Sequence, residues 1–252
     1  MSDFNRNPAV RGGFGADRAA AIDAGLRAYM IRVYNYMAIG VAVTGLVAYF
    51  TFSAAVTEGA GGALALTQFG QAIFVSPLKW LFILAPLAMV FFISFRIDRI
   101  EAATARTLFF AFAALMGLSM SVIFLVFTQT SITRVFFISA ATFGALSLYG
   151  YTTQRNLSAM GSFLFMGLIG IIIASLVNIF LASTMMQFII SVVGVLVFAG
   201  LTAYDTQRIK EMYDPMDDGT IAGKKAVMGA LSLYLDFINL FQMLLQLLGD
   251  RR

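Results

Sequence analysis

Apolar residues run along this chain in long blocks, each closed by a short polar or basic stretch. A bilayer core of about 30 Å takes about 20 helical residues. By that measure the pattern predicts spans at 31–52, 77–95, 107–127, 132–151, 162–182, 186–206 and 226–248. The fold class expected is therefore an all-α integral membrane protein with seven transmembrane helices and the lipid bilayer as its solvent. The third to sixth spans are joined by very short turns, so neighbours there run antiparallel and pack together. Two regions follow: residues 1–28 as a flexible cytoplasmic N-terminal tail, and residues 29–252 as the transmembrane domain. The tail is polar and Gly/Arg-rich (Asn5-Arg6-Asn7-Pro8, Arg11-Gly12-Gly13), with too little apolar content to fold alone. It does not read as a cleaved signal peptide, because the first apolar run lacks a small-residue cleavage site and six more runs follow.

Composition sharpens this. With 60% hydrophobic residues, 12% charged residues and a mean hydropathy of +0.86, the chain lies far outside the soluble range. It has no Cys and no His, which excludes disulfides, thiolate metal sites, cysteine nucleophiles and the usual zinc ligand, general base and proton switch. Any pH sensing then falls to carboxylates. A net charge of +4 does not point to nucleic acid, because the 17 Lys and Arg are spread through short loops and interleaved with acids.

Those cations set an orientation instead. One side holds Arg6, Arg11, Arg18, Arg27 and Arg32, then Arg96, Arg99 and Arg106, then Arg155, and finally Arg208, Lys210, Lys224 and Lys225. The other holds only Lys79, Arg134, Arg251 and Arg252. The N-terminus is expected in the cytoplasm and the C-terminus outside a cell (inner) membrane. Within the spans, Lys79-Trp80 reads as an interfacial anchor and Pro86 as a bend that frees the Phe82 carbonyl. Small residues four apart, Gly117/Ser121, Gly170/Ala174, Ala199/Ala203 and Ala226/Ala230, predict close helix approach. No internal repeat is visible, and an odd span count disfavours an inverted-repeat transporter.

The candidate chemistry sits on spans six and seven. Ser191, Gly194, Phe198, Thr202 and Asp205 fall on one stripe of span six, and Asp205 closes a long uncharged run at Gly200–Lys210. On span seven, helical spacing puts Ser232, Asp236, Asn239, Met243 and Gln246 on one face and Leu233, Phe237, Leu240, Leu244 and Leu248 on another. The first face is expected towards protein or water and the second towards lipid. Asp236 lies eleven residues beyond Lys225, about 16 Å along a helix, and is the deepest charge in the sequence. An ionised group at that depth costs roughly 2.5–3.5 kcal/mol even on lenient scales, so it calls for a partner and a task. Consecutive antiparallel helices can bring Asp205 and Asp236 together, where they titrate as a coupled pair.

Arg96, ending span two, reaches a similar depth to Asp205. At about 4 Å and an effective dielectric near 20 such a pair is worth roughly 4 kcal/mol, enough to latch a bundle. Oxygen donors, with Asn239, Ser232 and Thr202 as possible supporting ligands, suit a hard cation such as Ca²⁺ at Asp205 and Asp236 better than a transition metal. A permeation site fits these residues better than an active site. The bland alternatives are that Asp205 and Arg96 only mark helix ends and that Asp236 hydrogen-bonds a neighbouring helix.

Two segments carry a resemblance: Ala203-Tyr204-Asp205-Thr206-Gln207-Arg208-Ile209-Lys210, and Ala230-Leu231-Ser232-Leu233-Tyr234-Leu235-Asp236-Phe237-Ile238-Asn239-Leu240-Phe241. With Thr142-Phe143-Gly144-Ala145 and Gly161-Ser162-Phe163-Leu164, they resemble the bacterial branch of the transmembrane Bax inhibitor motif family, over nearly the whole chain after the tail. The resemblance implies seven helices and a pH-sensitive calcium leak. In it an aspartate pair (here Asp205 and Asp236) binds protons, and an arginine (here Arg96) bridges to the span-six aspartate to hold the pore shut. Some members add a carboxylate within span two, where this chain has Ala85-Pro86, which leaves the ion coordination open. No cofactor is implied beyond Ca²⁺ as a permeant or transiently bound ion. Some bacterial relatives modulate a membrane-anchored ATP-dependent protease, and that non-transporting regulatory role, acting through the tail, is the competing reading. An enzyme ranks third. The sequence offers no nucleophile–base pair, phosphate loop or metal motif, and Gly59-Ala60-Gly61-Gly62 follows no predicted strand.

Overall fold

The computed structural model describes residues 8–58 and 64–252, with side chains described at 22–57 and 64–252. Among these residues, seven helices are long and apolar enough to cross a bilayer. They are α1 (Pro8–Ala55), α2 (Lys79–Arg96), α3 (Ala102–Met120, followed by a short turn of helix at Ile123–Val126), α4 (Gln129–Thr152), α5 (Ser158–Leu181), α6 (Thr184–Glu211) and α7 (Gly219–Leu248). The expected class and helix count both hold. Of the tail expected over 1–28, residues 1–7 lie outside the described residues, and the backbone from Pro8 is helical and continuous with the first span. One small element was not expected. Strands β1 (Val56–Glu58) and β2 (Leu64–Leu66) pair antiparallel with Val56 opposite Leu66. The glycines of 59–62 fall outside the described residues.

Helix ends follow local chemistry. Ser183 and Thr128 accept the backbone N–H of Met186 and Ser131, both at 3.3 Å, and Asp218 accepts those of Thr220 (2.8 Å) and Ile221 (2.7 Å). These side chains satisfy amides that have no partner inside a first turn. Ala182 takes a left-handed conformation (φ 48°), which ends α5 and lets α6 start two residues later.

α7 is the hub. It packs against α6, α1, α4 and α3, whereas α2 packs chiefly on α3, and α5 on α6. This corrects one expectation. The face of α7 predicted to meet lipid is core: Leu233 and Leu240 are fully buried, and Phe237 and Leu244 nearly so. The two-faced reading assumed a helix at the rim of the bundle; a helix packed against four others buries its apolar side, apart from the terminal Leu248, while the polar side stays half-covered along a cavity. Tyr234, also fully buried, lies edge-on to Phe109 and Phe112, and its hydroxyl meets Thr44 Oγ1 at 2.5 Å. Thr44 is in turn within reach of the Ala113 (2.8 Å) and Gly40 (3.0 Å) carbonyls. The single threonine proton serves a carbonyl, so the tyrosine donates.

Small residues set the close approaches, though not all those expected. A methyl group at Gly117 would strike the Thr44 carbonyl, and one at Gly150 the Ala203 carbonyl; Ala226 and Ala230 are fully buried. Gly170 has nothing near it, so of the Gly170/Ala174 pair only Ala174 packs against the core. Basic loops gather at one end of the bundle, where Lys224 Nζ donates to the Asp98 carbonyl (3.0 Å) and Lys210 Nζ to that of Tyr151 (2.9 Å). At the opposite end the C-terminal residues strap the α3–α4 turn, through Thr128 N–H to the Asp250 carbonyl (3.1 Å), Asp250 N–H to Ser131 Oγ (2.9 Å) and an Arg134–Asp250 ion pair (3.0 Å).

Candidate functional site

The motif that closes α6 divides its work residue by residue. Thr206 lies 2.9 Å from Ser147 Oγ on α4, and Ser147 lies 2.6 Å from Tyr34 Oη on α1, a polar thread across three helices. Gln207 grips the α4–α5 loop with both ends of its amide: Oε1 accepts the Leu157 N–H, and Nε2 donates to the Arg155 carbonyl, each at 2.8 Å. These contacts hold α6 in rotation about its own axis. Asp205 is thereby turned towards α7.

There it meets Asp236. The two side chains are electrostatic neighbours at the wall of one cavity. Asp236 is 5% exposed, and its Oδ2 meets no protein donor. The pair that the sequence placed on neighbouring spans is thus brought to one site.

Arg96 does not join them. It is exposed at the end of α2, and among the described residues it forms no ion pair; the cation beside Asp205 is Arg208, one turn along the same helix at 4.0 Å. Arg208 is exposed while Asp205 is mostly covered, which makes this a weak surface contact and not a clamp. Sequence spacing alone offered Arg208 as a boundary marker; its i+3 relation to Asp205 was the signal that could have found it.

Both acids line a cavity of about 1010 Å³ that opens between α2 and α5. Ser232, Asn239 and Gln242 line it on the α7 side. Of the supporting ligands expected, Ser232 and Asn239 therefore share the cavity wall with the acids. The Asn239 amide nitrogen is spent on the Leu235 carbonyl (2.8 Å), which leaves its oxygen as the available donor atom. Thr202 is not in place, since it is fully buried with its hydroxyl donated to the Phe198 carbonyl at 2.8 Å. Beyond Gln242 the polar side continues to Gln246, which contacts Gln187 and, at 3.2 Å, Ser191; Gln187 also accepts from Asn178 at 3.3 Å. Gln187 and Asn178 had escaped the sequence reading because each is a lone amide in an apolar run. Among the described residues no third acid joins the pair.

Comparison with known proteins identifies the family of the chain. Residues 26–252 match the family described as Inhibitor of apoptosis-promoting Bax1. The chain is 46% identical to inner membrane protein YbhL of Escherichia coli K12, over 91% of this chain and 94% of that one. A Rickettsia prowazekii protein is 47% identical over 91% and 92% of the two chains, and one from Caulobacter vibrioides 43% identical over the full length of both.

Proposed function

Because this chain belongs to the family of inhibitors of apoptosis-promoting Bax1 and is a multi-pass membrane protein, we propose that it is a pH-sensitive calcium leak channel of the inner membrane, gated by Asp205 and Asp236. The observation that carries the proposal is the pair of neighbouring acids at the wall of a cavity, one of them buried without a donor to its Oδ2. An ionised pair is a hard, all-oxygen site for a divalent cation. Two carboxylates with one amide oxygen beside them are too few for tight retention, which suits an ion in transit. The polar side chains of α7 from Ser232 to Gln246 mark the route, with the Gln187–Gln246–Ser191 contacts at its far end.

In this reading Arg96 supplies the latch. With the pair ionised, Arg96 swings to Asp205 and shuts the path; a proton shared with Asp236 removes the charge that holds it. The conformation described, with Arg96 exposed and Asp205 facing Asp236, is then the unlatched one. Acid raises flux.

The test is calcium entry into vesicles holding the purified protein and a calcium dye, followed from neutral to mildly acidic pH. Flux should rise as pH falls, and Asp205→Asn and Asp236→Asn should abolish that response. Unchanged flux and unchanged pH response in both variants would refute the mechanism.

A further inference from the structure

The cavity is far larger than an ion requires. Its lining on α5 runs from Gly161 to Ile179, which at 1.5 Å per residue is about 27 Å, close to the full depth of a bilayer core. Its walls there are aliphatic and aromatic, with Phe165, Ile172 and Leu176 on α5 facing Ile83, Leu87 and Val90 on α2. α2 and α5 each lean on a different inner helix, so the cleft between them lies at the side of the bundle.

The acids lie towards one end of this cleft. Tyr204, beside Asp205, packs against Gly161, and Gly200 packs against Leu164, so the carboxyl pair is level with the start of α5 and the apolar walls continue about 22 Å beyond Leu164. A polar head belongs at that end and an extended hydrocarbon chain along the rest. The head is selected by charge. Two carboxyl groups line the cleft against one arginine, and Asp236, 5% exposed, has an Oδ2 with no protein donor. An ammonium group supplies several N–H donors and a positive charge to such a pair, whereas a phosphate or carboxylate head would be repelled.

We propose that this cleft binds a single-chain lipophilic amine taken laterally from the bilayer, its ammonium seated between Asp205 and Asp236 and its alkyl chain lying along α5. The volume is that of an ordinary small-molecule site. A lipid whose head group carries phosphate without an ammonium is disfavoured by the same two carboxyl groups. The proposal shares the acid pair with the calcium-leak reading but does not depend on conduction: amine binding is read without an ion gradient, so either can fail while the other stands.

The full-length protein in lipid nanodiscs would be titrated with hexadecylamine, hexadecanol and hexadecanoic acid, with bound molecules counted by native mass spectrometry. One hexadecylamine per chain is expected, with the alcohol and the acid about tenfold or more weaker. Asp236→Asn should weaken the amine about tenfold and leave the alcohol unchanged. Ser175→Trp, on the tail-binding stretch of α5 and remote from the acids, should weaken the amine as well, which guards against misfolding of the aspartate variant. Equal binding of the three probes would overturn the proposal, as would undiminished amine binding in both variants.

Discussion

Asp205 and Asp236 stand on consecutive antiparallel helices at the wall of one cavity, and Asp236 sits 5% exposed at the centre of the bundle with no donor to its Oδ2. Two carboxyl groups bond to each other only while a proton lies between them. Replacing Asp236 by Asn keeps the shape and offers an amide N–H to an ionised Asp205, but it removes the titration. Asp236→Asn is therefore expected to fold, to elute like the parent and to lose the acid-dependent rise in calcium flux. Asp236→Leu removes the partner and leaves Asp205 as a lone acid in the cleft. Comparing the two by flux against pH separates the loss of a proton site from the loss of a contact.

Arg96 and Arg208 are both exposed arginines, yet the proposed latch assigns them different roles. Arg208→Ala breaks a 4.0 Å ion pair whose arginine is 60% exposed, and should cost under about 1 kcal/mol of stability. Arg96→Ala touches no ion pair among the described residues and should cost nothing measurable. In flux the order reverses. Arg96→Ala should give, at neutral pH, the leak that the parent reaches only in acid, while Arg208→Ala should keep its pH response. The same vesicle assay checks both.

The Tyr234–Thr44 contact at 2.5 Å ties α7 to α1 in the least accessible part of the molecule. Removing either member has unequal consequences. Tyr234→Phe leaves Thr44 still donating to a carbonyl and should cost about 1 kcal/mol. Thr44→Val leaves the tyrosine hydroxyl buried with no acceptor, a desolvated donor worth about 1–3 kcal/mol. The valine variant should melt lower than the phenylalanine variant in the same detergent. The double variant should melt no lower than Thr44→Val alone, because the orphaned hydroxyl is gone.

Much of this was legible in the residues themselves. Seven blocks of about 20 apolar residues can satisfy their backbone in lipid only as helices, and a carboxylate as deep as Asp236 needs a partner that only the next helix can offer. The unread parts share a cause: they depend on which helix stands where. The placement of α7 at the hub turned its supposed lipid face into core, and no periodicity records how many neighbours a helix has. Gly170 matched a small-residue pattern, but α5 is an outer helix at that point and no partner arrives. Arg96 matched the depth of Asp205, yet equal depth fixes neither azimuth nor reach, and Arg208 stood one turn away on the same helix. The hairpin of β1 and β2 was missed because three-residue strands are too short to leave an alternating pattern.

Gln207 offers a test that needs no assay of function. Its side chain supplies the acceptor for the buried Leu157 N–H and the donor for the Arg155 carbonyl, both at 2.8 Å, and so fastens the α4–α5 loop to α6. Gln207→Ala leaves that amide without a partner at a cost of about 1–3 kcal/mol, which the loop can escape by lifting off into water. Arg155 is exposed at the crest of this loop, where a freed backbone becomes a substrate for trypsin. Cleavage after Arg155 in detergent should run several-fold faster in Gln207→Ala than in the parent, while cleavage after Arg134, held at the opposite end by Asp250, should not change. Gln207→Glu keeps the acceptor for Leu157 but cannot donate to the Arg155 carbonyl, and should fall between the two. If all three proteins are cut after Arg155 at one rate, the loop is held by something other than this amide, and the orientation of Asp205 towards α7 must then come from helix packing alone.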